Sequence, residues 1–408
     1  MGVENNIPEG WIEVNIAEIA TTNDESISRD YNHLNIEYLD TGSITKNSIE
    51  GFQLFDLKEA PSRAKRLVKN GDIIYSTVRP NQEHYGYINN PKANCVVSTG
   101  FCVIRTKDTC YSKFLYHLLT QNKVRDYLHI LGEQSASAYP SIKPIDIENL
   151  IINIPGEINE QKAIAKVLTA FDDKIELLQA QNNTLETMTQ TIFKEWFGKY
   201  QIEDELPKGW RVGKLGDIAK HVKNNIKPFN NPNKLYHHYS LPAYDDGLRP
   251  VNELGSDIKS NKYSVENNSF LVSKLNPFTP RIWTIFNSED VNICSTEFQV
   301  VKPNEDNLFS IIHCLLNSKH FTSNLSQKVK GTSSSHQRVN PEDIFEVDLI
   351  IPNKEDLIRF EKLIIPMITK KDINHNNIQS LTKTRDTLLP KLMSGQVRVN
   401  NIKQTADA

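Results

Sequence analysis

One spacing occurs twice in this chain and restricts its possible folds more than any other feature. Ile164, Leu168, Phe171, Ile175, Leu178, Asn182, Leu185, Thr189, Ile192 and Trp196 follow one another at alternating steps of four and three residues, the spacing of a heptad seam. Shifted by 196 positions, the series reads Phe360, Ile364, Met367, Lys371, Asn374, Ile378, Leu381, Arg385, Leu388 and Leu392. Two helices with matched seams can bury them against each other. Each would run for roughly 35–40 residues, about 55–60 Å at 1.5 Å per residue. That exceeds an ordinary globular helix and suits a spacer between two bodies. A stripe at i, i+3, i+4 also serves a helix that covers only its own domain, but a/d spacing sustained over more than three heptads points to pairing. The polar members, Asn182 and Thr189 on the first seam and Lys371, Asn374 and Arg385 on the second, fit a pair held in one register. A buried polar residue weakens a seam while fixing its alignment and partner.

The repeat extends beyond the helices. Ile7-Pro-Glu-Gly-Trp11 returns as Leu206-Pro-Lys-Gly-Trp210, each followed by an apolar pair and an alanine (Ile16, Ile19, Ala20; Leu215, Ile218, Ala219). Asp72 to Ser76 with Arg79-Pro80 answers Ser269 to Ser273 with Asn276-Pro277, and Val97 to Phe101 answers Cys294 to Phe298. Amphipathic helices follow at Phe114 to Leu119 and Ile311 to Leu316, then small-residue loops at 132–137 and 331–335, then apolar strands ending in Pro155 and Pro352. β-branched runs such as Asp72–Val78 and Cys95–Ile104 read as strands, and with the helix after Tyr111 they make each arm α/β. The plan is arm (1–155), long helix (156–200), arm (201–352), long helix (353–398) and a polar tail (399–408). The first helix should start near Glu157–Asn159 and stop around Gly198, and Pro390 should kink the second or end its regular part before Gly395 closes it.

Composition excludes several classes. No run of 18 apolar residues exists to span a membrane, and the N-terminus has no basic and apolar regions of a secretory signal. The five cysteines form no C-x-x-C pair and read as free thiols of a cytoplasmic protein. A net charge of −3 means that any nucleic-acid contact must use local patches. No nucleotide-binding G-x-x-x-x-G-K-[ST] is present. Asn276-Pro277-Phe278 lacks the second proline of an adenine methyltransferase motif and reads as a turn, as does Asp245-Asp246-Gly247. Glu160-Gln-Lys162 has a nuclease-like E-x-K shape but lies in the first turn of a helix, where an acid suits the positive end. His237-His238 has no suitably spaced further ligand and reads as a solvated loop, so no metal and no catalytic residue is assigned.

The paired openings Pro8-Glu-Gly-Trp11 and Pro207-Lys-Gly-Trp210, Phe193-Lys-Glu-Trp-Phe197 in the first helix, and Leu388-Leu-Pro-Lys-Leu-Met-Ser-Gly395 in the second carry a family likeness. On this duplicated plan the chain resembles the specificity subunit of a type I restriction–modification system, over nearly its full length. The resemblance implies two α/β target-recognition domains, each reading one half of a split DNA site, and two long helices forming an antiparallel coiled coil that sets the spacer. It also implies partners: double-stranded DNA, two modification subunits that methylate adenine and dock on the helices, and restriction subunits that translocate and cut DNA. It implies no cofactor in this chain, with S-adenosylmethionine, ATP and Mg used by the partners. The alternatives are a self-contained methyltransferase or restriction enzyme, against which the missing motifs speak, and a protein-only coiled-coil scaffold.

The recognition domains of this family diverge, so DNA-contacting candidates come from residue chemistry alone. In the first arm they are Arg63, Lys65, Arg66, Lys69 and Arg79; in the second, Lys274, Arg281, Lys328, Lys330, His336 and Arg338. Basic side chains beside Gly/Ser loops suit phosphate, and Arg can read guanine through two hydrogen bonds.

Overall fold

The computed structural model describes residues 7–135, 139–287, 289, 291–329 and 337–399. It divides into two units, one of residues 1–177 and 377–408 and one of residues 178–376. The division crosses both long helices, Ile158–Phe197 and Lys354–Met393, so each unit holds one arm and half of each helix.

In the first unit Trp11–Asn15 pairs antiparallel with Ile151–Pro155, placing the opening motif beside the entry to the first long helix. Trp11 Nε1 donates to Glu160 at 3.3 Å, in that helix's first turn. One four-stranded sheet has the order Ala20–Thr22, Phe101–Thr106, Ile73–Ser76, Tyr85–Tyr87. The other has the order Gln53–Asp56, Asn35–Leu39, Cys95–Ser98, Ala64–Leu67. Alternation along Phe101–Thr106 divides the core between two faces. Cys102 and Ile104 pack with Phe114, Leu115 and Leu118 and with Ile164, Leu168 and Leu392 of the long helices. Phe101 and Val103 pack with Leu39 and Val97 of the other sheet and with Ile44 of the short strand pair Ile44–Thr45 and Ser48–Ile49.

The second unit repeats this plan. Arg211–Lys214 pairs antiparallel with Asp348–Ile351, and Trp210 Nε1 donates to Asp356 at 2.9 Å, again in the first turn of a long helix. A four-stranded sheet runs Ala219–Val222, Phe298–Pro303, Ser269–Ser273, Ile282–Ile285. A five-stranded sheet runs Asn225–Ile226, Lys262–Ser264, Asn292–Ser295, Leu235–Tyr239, Val251–Leu254. Among the described residues each unit has one parallel strand pair, Asn35–Leu39 with Cys95–Ser98 and Leu235–Tyr239 with Asn292–Ser295; the other pairs are antiparallel. The arms are thus mixed helix/strand bodies.

The halves of the long helices face each other within each unit. In the first, Arg385 Nη1 donates to Asp172 at 2.7 Å, and Arg398, just past the second helix, pairs with Glu160. In the second, Lys371 pairs with Glu186, Asn374 Nδ2 donates to Asn182 at 3.0 Å, and Phe360 packs among Phe193, Trp196 and Phe197. Partner numbers rise on one helix as they fall on the other, so the halves run antiparallel. Seam residues from Ile164 to Trp196 and from Phe360 to Leu392 are buried or half-buried.

Three local expectations are corrected. The run Cys95–Ile104 is two strands in different sheets, broken at Thr99–Gly100, where Gly100 N–H turns back to Ser98 Oγ. Pro390 does not end the second long helix, which continues to Met393; Pro390 and Pro366 lie on its exposed face, where water can serve the carbonyls they leave unbonded. Gly395, at φ +69°, closes it, and a Cβ there would lie 2.7 Å from Pro8 Cγ. His237 and His238 are half-buried on a strand rather than in a solvated loop, bonded to Asn292 (3.1 Å) and Glu253 (2.6 Å).

Candidate nucleic-acid interface

Each arm carries a rim built by the same hydrogen bonds. In the first arm, Ser76 ends its strand by donating Oγ–H to the Val78 carbonyl (2.9 Å) and accepting from Val78 N–H (3.2 Å). Thr77 N–H then reaches Gly100 O (2.8 Å), Ile142 N–H reaches Thr77 O (2.8 Å), and Arg79 N–H reaches Pro140 O (2.8 Å). In the second arm, Ser273 clamps Leu275 at 3.0 and 3.1 Å. Lys274 N–H reaches Glu297 O (2.9 Å), Val339 N–H reaches Lys274 O (3.1 Å), and Asn276 N–H reaches Gln337 O (3.0 Å). Arg79 and Asn276 occupy the same place in this scheme, and both are left-handed, at φ 48° and 52°. A non-glycine residue held there in two separate arms marks a backbone fixed by its surroundings.

The rims gather some candidates and leave others aside. Arg63 is exposed and its carbonyl accepts from Thr99 N–H (2.8 Å), so Arg63 and Arg79 flank one turn in the first arm. The Arg79 guanidinium lies over the Tyr139 ring at 4.5 Å. Lys65 is exposed on the edge strand that follows Arg63, Ala64–Leu67, while Arg66 is half-buried and donates to Ser26 Oγ at 3.4 Å. Lys69 lies beyond that strand and pairs with Glu25. In the second arm Lys274 and Arg338 lie beside Glu297, with Arg338 Nη2 to Glu297 at 3.0 Å. Partial burial lowers the Lys274 ammonium from its ordinary pKa, and Glu297 opposes the shift. Arg281 is held by Asp245 through two bonds of 2.7 and 2.9 Å. Lys328 Nζ is turned toward the carbonyls of Asp343 and Glu346, at 3.4 and 3.5 Å. Lys330 and His336 lie outside the described residues.

Sequence reasoning missed Thr77, Tyr139 and Glu297, which sit on the rims. The signal that could have found them is the alignment of Ser76 with Ser273 at both strand ends. Among the described residues no group of three His, Cys, Asp or Glu is placed to hold a metal, and no helix is long and apolar enough to cross a membrane. Glu160, the acid of the E-x-K shape, is engaged by Trp11 and Arg398. All five cysteines are buried free thiols, and burial raises their pKa values.

A family model described as the type I restriction modification DNA specificity domain matches the chain twice, over residues 8–187 and 207–388. The chain belongs to this family. As a specificity chain it is a DNA-recognition component without a catalytic role of its own. It is 23% identical, over a 470-residue alignment, to the specificity subunit of the HindI type I restriction enzyme of Haemophilus influenzae, covering 95% of this chain and 99% of that one. It is 28% identical over 370 residues to the MjaIX specificity subunit of Methanocaldococcus jannaschii, covering 83% and 80%. The solved S subunit of a type I system from M. genitalium superposes with a TM-score of 0.59 at 17% identity, covering 96% of this chain and 98% of that one; the two share a fold.

Proposed function

We propose that the two arms, residues 1–155 and 201–352, are target-recognition domains that each read one half of a bipartite DNA site through the rim just described. The observation that carries this reading is the duplicated rim: one backbone scheme in both arms, with Arg63 and Arg79 around it in one and Lys274 and Arg338 in the other. Backbone held rigidly beside cations suits phosphate contact, and side chains projecting from it can reach base edges. The long helices act as an antiparallel coiled coil that sets the spacer between half-sites, a reading supported by the facing pairs within each unit. Their outer faces dock two modification subunits, and restriction subunits join that complex. S-adenosylmethionine, ATP and Mg belong to those partners.

The test is an exchange of arms. Residues 1–155 are replaced by the matching arm of a relative, and the motif methylated in cells that also express the modification subunits is sequenced. One half of the motif should change while the other half stays. A change in both halves, or in neither, rules out one arm for one half-site.

A further inference from the structure

The apolar seam does not determine which helix pairs with which. Ile164 and Phe360, Leu168 and Ile364, and Ile192 and Leu388 are equivalent under the 196-residue shift, so a first helix could seat against another first helix as readily as against a second. The polar contacts across the seam are not symmetric in this way. Glu160 with Arg398, Asp172 with Arg385, and Glu186 with Lys371 each take the acid from the first helix and the base from the second helix or the segment just after it. Asp172, Arg385, Glu186 and Lys371 are only 28–31% exposed, so a charge left without its partner there would be poorly served by water.

Each acid is also a hub for its arm. His117 Nδ1 lies 3.8 Å from Asp172, and its Nε2 is bonded to Thr169 Oγ1 at 3.1 Å. His313 Nε2 lies 3.8 Å from Glu186, and its Nδ1 is bonded to Thr284 Oγ1 at 3.1 Å. Both histidines are almost fully buried. Arm, first helix and second helix therefore converge on one carboxylate in each unit.

Like-with-like pairing would break this arrangement. Lys371 and Arg385 correspond to Ile175 and Thr189. In a pair of first helices, Glu186 would face Ile175 and Asp172 would face Thr189. Asp172 of one copy and Glu186 of the other would lie about one helical turn apart, roughly 5 Å along the axis. In a pair of second helices, Lys371 would face Thr382 and Arg385 would face Ile368, with the two bases equally close. Homotypic pairs thus gather like charges in a half-buried seam, where the unlike pair neutralises them.

We infer that these ion pairs form a partner code: the first helix accepts the second helix of this chain and rejects a second copy of itself. The inference rests on the helix-pair reading above and adds the rule by which partners are chosen. The rule keeps two arms with different rims in one particle and keeps two copies of one arm from combining.

The test uses the folded full-length chain with a protease site replacing the exposed residues Ile202 to Glu205, cut after purification. Native mass spectrometry then counts unlike pairs of pieces (one of each) against like pairs, after mild warming to permit exchange. Random exchange gives two unlike pairs for every one of each like pair; the code should raise the unlike excess by about tenfold or more. A second protein carries Asp172→Asn and Glu186→Gln, which keep side-chain size, and Lys371→Gln and Arg385→Gln, which are shorter but polar; all four remove charge. Its pieces should move toward random exchange. Like pairs at the random ratio from the unmodified chain, or unlike pairs alone from the neutral one, would overturn the code while leaving helix pairing intact. Separation of the pieces into single halves would overturn the pairing reading and the code with it.

Discussion

His117 gives the first unit a measurable acid sensitivity. Burial, reinforced by the charges of Arg385 and Lys113, holds its pKa down at about 3, against an ordinary value of 6.5. The unfolded chain therefore takes up a proton near pH 6.5 that the folded chain refuses until about pH 3. The unfolded state binds more protons throughout that interval, so stability is fully present above pH 6.5 and is lost as pH falls toward 3. Between pH 7 and pH 5 this residue's share of the decline is about 2 kcal/mol at 1.36 kcal/mol per pH unit. That is on the order of 4–8 °C in unfolding midpoint for a body of this size. Asp172, whose pKa is raised by burial despite Arg385, contributes a slope of the opposite sign, which the parent and the variant below share. His313 and His238, also lowered by burial, add slopes of the same sign in the second unit. The informative protein is His117→Gln, which keeps a polar group beside Thr169 and cannot titrate. Midpoints of the transition that reports the first unit, recorded from pH 7 to pH 5, should fall several degrees less in the variant than in the parent. Equal slopes would refute the assignment of a neutral, desolvated imidazole to this site.

Two other outcomes follow from the rims. Neutralising Arg63, Lys65 and Arg66 together should weaken DNA binding and reduce the slope of log K against log salt by about one for each phosphate no longer neutralised; an unchanged slope in a salt titration would make the cluster ordinary surface. Ser273→Ala removes both bonds that clamp Leu275, should cost about 1–3 kcal/mol in the second unit, and should impair reading of one half of the methylated motif only, as scored by sequencing against Ser76→Ala.

The helices were legible because their information is local and periodic: the three–four spacing from Ile164 to Trp196 can be counted without knowing what it meets. The duplication was legible for the same reason, since Trp11 and Trp210 can be aligned before anything shows that each reaches the third residue of a long helix. Sheet order was not. Cys95–Ile104 is a nearly unbroken apolar run, and only pairing with Asn35–Leu39 on one side of Thr99 and Ile73–Ser76 on the other reveals two strands. His237 and His238 read as loop residues because nothing nearby in sequence announces Asn292 and Glu253. The rims were half visible. Arg79 and Lys274 stood out by charge, but the meeting of residues 77, 100 and 142 depends on chain segments far apart in sequence.

The side chains that hold the rim are not the ones it displays. Ser76 and Ser273 point inward and fix the turn, Thr77 Oγ1 adds a bond to the Gly100 carbonyl, and the other bonds of the frame run between backbone N–H and C=O groups. Residues 79 and 276 enter that frame through their backbone, the N–H donating to Pro140 or Gln337 and the carbonyl accepting from Gln82 or Thr279, and arginine stands in one arm where asparagine stands in the other. The side chains at these two positions are thereby left out of the frame's bonds, while the left-handed backbone there still disfavours β-branched replacements. On the proposed reading of the rim, single substitutions at these positions would alter sequence preference without wholesale replacement of an arm.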